Sequence, residues 1–210
     1  MTADKPKKLF FYAQLFLVLL SYNSHLYAQD WHLERDKSGV KIYTRFIKGW
    51  DLKQFKAVVN IKTDLSSVEK TIRNAVGRNN WMYNTFDTKD IKKVSDNEIY
   101  SYSRVAAPWP VSDRDNVTKY TYKKVSDKEI YVYLSNVNGI APEKSGIVRI
   151  KRMEGYWHFK DLDNGFIQVS QIAVAEPGGS IPAWLANSAV IDSPYNTLLN
   201  MKNHIEAGKR

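Results

Sequence analysis

Residues 177–206 repeat apolar side chains at helical spacing. Ile181, Trp184, Leu185, Ile191, Tyr195, Leu198, Leu199 and Ile205 recur with Asn187, Asp192, Asn196 and Asn203 between them. A long helix with one apolar side needs a broad apolar surface to lie on, and that need restricts the rest of the chain. Ser180 is placed to cap the helix, Pro182 suits its first turn, and Gly178-Gly179 offers a bend just before it. Pro194, inside the run, is expected to kink it. The plainer alternative is a terminal helix closing an ordinary core, and the pattern alone leaves both open.

Ahead of this helix, residues 86–174 read as almost wholly β. The expected strands are 99–105, 117–123, 130–135, 147–153, 156–161 and 166–174. Turn signals at Asp96-Asn97, Ser126-Asp127, Pro142, Glu154-Gly155 and Asp163-Asn164-Gly165 separate them. Further upstream, a hairpin turning at Lys48-Gly49 leads to a helix capped by Asp64 or Ser66. Its apolar stripe is Leu65, Val68, Ile72 and Val76, Gly77 closes it, and a short helical turn follows at 78–81. This order defines an α+β helix-grip fold, a curved antiparallel β-sheet wrapped around a long C-terminal α-helix. Stretches such as YSYSR and KYTYKK carry polar residues on both faces. Inward Tyr, Ser and Thr suit an internal cavity better than a solid core.

At 210 residues the chain is one domain, or one domain plus a leader. Residues 1–28 read as a signal peptide: Lys5, Lys7 and Lys8 precede an apolar run, then a polar stretch ending at Ala28. The domain, 29–210, is therefore expected outside the cytoplasm, periplasmic or secreted, or membrane-anchored if the signal is not cleaved. The chain has no cysteine, which excludes disulfides, cysteine-based zinc sites and a catalytic thiol. The net charge of +9 is spread over scattered lysines, read first as solvated strand faces and second as an attraction to anionic membrane. Nucleic-acid binding is not expected, because the basic residues are not clustered with stacked aromatics.

Four stretches resemble the START family of lipid-transfer domains, in order and at fitting spacing. Trp31-His-Leu33 with Ser38-Gly-Val-Lys-Ile-Tyr43 looks like the family's opening strand. Arg78-Asn-Asn-Trp81 looks like its arginine–tryptophan pair, and Pro108-Trp-Pro-Val-Ser-Asp-Arg-Asp115 like its proline-rich turn ending in Arg-Asp. Pro177-Gly-Gly-Ser-Ile-Pro-Ala-Trp-Leu-Ala-Asn187, with Pro194 beyond, looks like its closing helix. The resemblance implies an internal tunnel for one lipid or other apolar molecule, with no covalent chemistry. No cofactor or metal is expected, because His32, His158 and His204 are isolated and lack metal-ligand spacing. Some sterol-binding relatives carry a buried arginine six residues after the Arg of Arg-Asp. Here that position is Tyr120, which argues against a sterol-type contact.

The expected cavity residues are Trp109, Tyr120, Tyr122, Trp184, Asn187 and Ile191, with Trp81 and Trp109 also read as core. Arg78, Asp113, Arg114 and Asp115 are read as structural ion pairs or as contacts to a polar head. The protein is expected to act as a monomer. Two other readings remain: a cyclase- or hydrolase-like enzyme using the same cavity, and an envelope protein-interaction module with a solid core. An acid/base pair such as His158 with Glu176 would mark the first.

Overall fold

The computed structural model describes residues 30–208, so the expected leader lies outside the described residues. Three strands open the domain: β1 (His32–Lys37), β2 (Val40–Arg45) and β3 (Gln54–Lys62). The residues of β2 alternate: Val40, Ile42 and Thr44 are buried, whereas Lys41 is exposed. Ser38 (φ 54°) and Gly39 (φ 77°) make the tight turn that joins β1 to β2.

Helix α1 (Leu65–Arg73) follows, capped by Asp64, whose carboxylate accepts from the Ser67 amide at 2.8 Å. Val68 and Ile72 face the core as expected, but the helix stops before Gly77. Asn74 takes an extended conformation and its side chain accepts from the Gly77 amide at 2.9 Å. The chain then restarts as a 3-10 helix, Val76–Asn80. That change of phase turns Val76 outward, where it is 66% exposed rather than part of the stripe.

The sheet continues with β4 (Thr85–Ser95), β5 (Glu98–Val105), β6 (Arg114–Ser126), β7 (Glu129–Asn136), β8 (Val148–Arg149), β9 (Arg152–Asp161) and β10 (Phe166–Glu176). All ten strands belong to one sheet, whose main path is β1-β2-β3-β10-β9-β7-β6-β5-β4, with β8 pairing in parallel beside β6. The antiparallel path, curved as expected, is that of the helix-grip fold.

Glu154-Gly155 is not a turn. Strand β9 runs straight through it, with Gly155 opposite Ala173 and Leu134. A side chain at 155 would place its Cβ 2.6 Å from the Ala173 Cβ and closer still to the Ile172 carbonyl oxygen. The glycine marks a close approach of two backbones.

The C-terminal stretch is two helices, α2 (Ala183–Val190) and α3 (Asp192–Ala207). Ile191 leaves the helical region at φ −120°, ψ −58°. Pro194 falls in the first turn of α3, where its missing N–H breaks no helical bond, so it starts a helix instead of kinking one. Ser180 caps nothing; the residue preceding α2 is Pro182, with no side-chain cap. Helix α3 packs on β2 and β3. There Tyr195, Leu198, Met201 and Ile205 join Val40, Ile42, Ala57, Val59 and Ile61 in one buried cluster. Glu206 fastens its far end by accepting from the Lys62 amide at 3.3 Å.

Gly155→Ala is expected to destabilise the fold by about 1–3 kcal/mol or more, the usual range for overpacking a tight site. Urea denaturation checks this, and an unchanged midpoint would show that the strands have room to separate.

Candidate ligand site

Strand alternation sorts the sheet's side chains between two faces. Tyr120 and Tyr122 of β6 share the buried cluster with Leu198 and Met201, so they point to the face that α3 covers. Thr118 points the same way, opposite Ser101 on β5 and Asn136 on β7. Further along come Asn116 opposite Ser103, then Arg114 opposite Val105. The Ser103 hydroxyl donates to Asn116 Oδ1 at 2.6 Å, and Asn116 Nδ2 donates to the Thr118 hydroxyl at 2.8 Å. Asn136 Oδ1 is buried and accepts nothing. The inner face is thus apolar at β2, β3 and β9, with Trp157 and Phe159, and polar along β5 and β6.

Arg78 enters this face from the 3-10 helix and is 1% exposed. Its Nη2 donates to the Ser101 hydroxyl at 3.1 Å and reaches Asp90 at 3.4 Å, while its Nε has no partner. The guanidinium carbon lies 4.2 Å from the centre of the Tyr120 ring. A cation therefore stands over the phenol that occupies the sterol-type arginine position. Tyr122 stacks beside Tyr120 at 6.5 Å with the Arg73 guanidinium 3.8 Å from its ring centre, and burial pushes its hydroxyl up to about 12. Trp81 lies in the core as expected, its ring edge-on to Trp157 at 6.0 Å and its Nε1 unpartnered.

The Asp113-Arg114-Asp115 group divides by parity. Asp115 points to the outer face, where Arg149 grips both carboxylate oxygens at 2.6 and 3.0 Å and the Tyr102 hydroxyl donates at 3.1 Å. Burial pulls the Asp115 carboxyl upward, but Arg149 outweighs it and holds the pKa below the ordinary carboxylate value. Asp113 takes the Ala107 amide at 3.0 Å and Arg104 at 2.6 and 2.9 Å, and these partners hold it low as well. Both acids tie the 106–113 loop and the 137–149 loop to the sheet. Arg114 remains on the inner face.

Three clefts surround the segment leading into α2. One of about 500 Å³ lies between Val105–Pro108 and Trp184, Leu185 and Ser188. A second of about 470 Å³ runs from Pro110 and Arg114 to Ile181 and Pro182. A third of about 430 Å³ adjoins Arg149, Arg152, Gly178 and Gly179. Gly178 and Gly179 hold φ values of 68° and 62°, so the bend expected there is real.

The expected cavity residues do not form one wall. Tyr120 and Tyr122 sit in the buried cluster, Ile191 is half-buried at the helix break, and Trp184 lines a cleft while 55% exposed. Asn187 faces solvent. Trp109 is 93% exposed, which corrects its reading as core: it rides the tip of the proline-rich turn, beside a cis bond to Pro110. His158 and Glu176 are far apart in register. His158 bonds Glu129 at 2.6 Å and stacks on Tyr131, and Glu176 pairs with Arg152 at 2.5 Å. Ser101, Ser103, Asn116 and Asn136 were not singled out from sequence; their signal is the two-residue spacing that puts polar side chains on one face.

A curved antiparallel sheet gripping C-terminal helices, with a polar strip on its covered face, defines a helix-grip domain. The START domain model matches residues 21–204, and the chain belongs to that family. An uncharacterized protein of Pseudomonas aeruginosa is 34% identical over 179 residues, 85% of this chain and 88% of the relative. The phosphatidylcholine transfer protein of Rattus norvegicus is 28% identical over 177 residues, 82% of each chain. A crystallised fragment of a STAR-related lipid transfer protein from Xanthomonas axonopodis is 37% identical with a TM-score of 0.77, covering 84% of this chain and 98% of its own.

Asp115→Asn leaves the Arg149 guanidinium buried without its counter-charge and is expected to cost about 3 kcal/mol or more. The folded pKa of Asp115 is depressed, so the stability it supplies is complete above the unfolded value of about 3.9 and is lost as pH falls through the folded one. The gap between wild type and variant should therefore narrow below about pH 4. Denaturant melts across that range check it, and equal stability near neutral pH would contradict the tie.

Proposed function

We propose that this chain binds one lipid or other hydrophobic molecule between the inner face of the sheet and α2, and carries it without covalent chemistry. The observation that carries this reading is the covered face itself: apolar where α3 packs, polar along β5 and β6, with buried Arg78 Nε, Arg114 Nε and Asn136 Oδ1 lacking partners. Buried polar atoms are normally satisfied. A ligand head along this strip would satisfy them while its chain lies against apolar residues. Burial of apolar area contributes roughly 25 cal/mol per Å², enough for a long acyl chain to hold without specific contacts. The printed names of the Rattus and Xanthomonas relatives support the same class of cargo.

Helix α2 is the moving part in this reading. The Gly178-Gly179 bend and the break at Ile191 bound it, and clefts already run along its sides. Trp184, which lines one cleft, and Trp109, next to Pro110 of another, stand exposed, where amphipathic rings can rest at a membrane surface. Of the net charge of +9, Lys5, Lys7 and Lys8 against Asp4 leave 9 − 2 = +7 on residues 29–210, which favours transient contact with an anionic bilayer. Residues 1–28 act as an export signal in this proposal, and the carrier works as a monomer outside the cytoplasm.

Mass spectrometry of solvent extracts from the purified protein is expected to find about one lipid per chain, the load of a single site. Trp184→Asp should lower lipid retention several-fold while leaving the far-ultraviolet circular dichroism of the sheet intact. Protein that neither co-purifies with lipid nor extracts it from vesicles would sink the proposal.

A further inference from the structure

Arg114 is 6% exposed, and the adjacent acid, Asp113, acts on it only through space, without an ion pair. Its two acidic neighbours in sequence are engaged elsewhere, Asp113 with Arg104 and Asp115 with Arg149. Among the described residues no carboxylate forms an ion pair with Arg114; its Nη1 donates to the Ser112 carbonyl and its buried Nε donates to nothing. Among the described residues no hydrogen bond is made by the side-on edge of the guanidinium, the buried Nε with the Nη2 beside it. That edge is the fork that takes two oxygens of one carboxylate or phosphate. Burial lowers the Arg114 pKa, and the Asp113 charge opposes that effect without cancelling it.

The same side chain lines the cleft of about 470 Å³ whose other walls include Val111, Val148, Ile181 and Pro182, with the Ser180 residue at its rim. It also ends the polar row of β6 on the inner face, two residues from Asn116. A buried cation without an anion is costly, and a protein keeps one where something else supplies the charge.

We propose that Arg114 receives the acidic head of the carried molecule, so that the cargo is an amphiphile ending in a carboxylate or phosphate. The inference rests on the carrier reading above. In this arrangement the oxyanion meets the Nε–Nη2 edge beneath the Gly179–Pro182 segment, and the hydrocarbon runs along the apolar inner face. A neutral head leaves the guanidinium unpaired, so the site discriminates by charge before it discriminates by chain.

The test compares oleate, oleyl phosphate, oleyl alcohol and inorganic phosphate as ligands of the full chain, by calorimetry and native mass spectrometry. The wild type is expected to bind oleate or oleyl phosphate roughly ten- to a hundredfold more tightly than the alcohol, the range for hydrogen bonds to a charged group. Arg114→Gln should erase that preference and leave alcohol binding almost unchanged, and Arg114→Lys should keep part of it. If the alcohol binds the wild type as tightly as the acids, the carrier stands and the acidic-head assignment falls. If none of the oleyl compounds binds, the carrier reading itself fails. If oleyl phosphate binds no better than inorganic phosphate, the site takes a free anion and the lipid-head assignment is overturned. The wild-type preference is read without substitution, so it decides the matter even if a variant does not fold.

Discussion

A sheet bent around its own inner face must cover that face, and here one helix covers only part of it. Helix α3 is anchored over β2 and β3 by Tyr195, Leu198, Met201 and Ile205, which pack on valine and isoleucine of the strands. That contact supplies hydrophobic burial of the kind that dominates folding. The remainder of the inner face, along β5 and β6, lies beyond α3 and toward α2, and it is built differently. Ser101, Ser103, Asn116, Thr118 and Arg114 occupy positions that the other half gives to branched aliphatics, and Arg78 enters from the 3-10 helix. The asymmetry divides one surface into an apolar half that holds the protein together and a polar half that, in the proposed function, meets the cargo.

The charged residues follow the same division. Salt bridges at Asp115–Arg149 and Asp113–Arg104 brace the loops on either side of the mouth, and each acid is satisfied by more than one donor. Such pairs earn their place by fixing geometry, because their mutual attraction is offset by the cost of removing them from water. Bracing ties the loops that wall the clefts to the sheet, whereas α2 lies between a glycine pair at one end and a helix break at the other. The cations of the inner face, Arg78 and Arg114, are not braced to the same degree. Arg78 has a ring beneath it and a serine beside it, and Arg114 has a carbonyl.

Much of this was legible in the chain. The spacing of residues 177–206 marks helix, the alternation in VKIYTR marks a half-buried strand, and Asp163-Asn164-Gly165 turns the chain where a left-handed residue is needed. These are local properties: a period of two or of 3.6, or a residue that tolerates positive φ, acts wherever it stands. The polar strip was half legible, because YSYSR shows that serines share a face without saying which face is covered.

What the tertiary structure decided are the features that depend on residues distant in sequence. Gly155 reads as a turn until Ala173 and Ile172 are laid against it, and then it is a gap two backbones require. Pro194 reads as a kink until the packing of α3 on β3 sets where that helix begins. Asp113, Arg114 and Asp115 look alike in a line, and only their partners on β5 and on the 137–149 loop separate the two ion-paired acids from the cation that has no ion pair among the described residues. Periodicity is written residue by residue; the pairing of a buried charge depends on what the fold brings within 3 Å of it, and no single stretch of the chain contains that information.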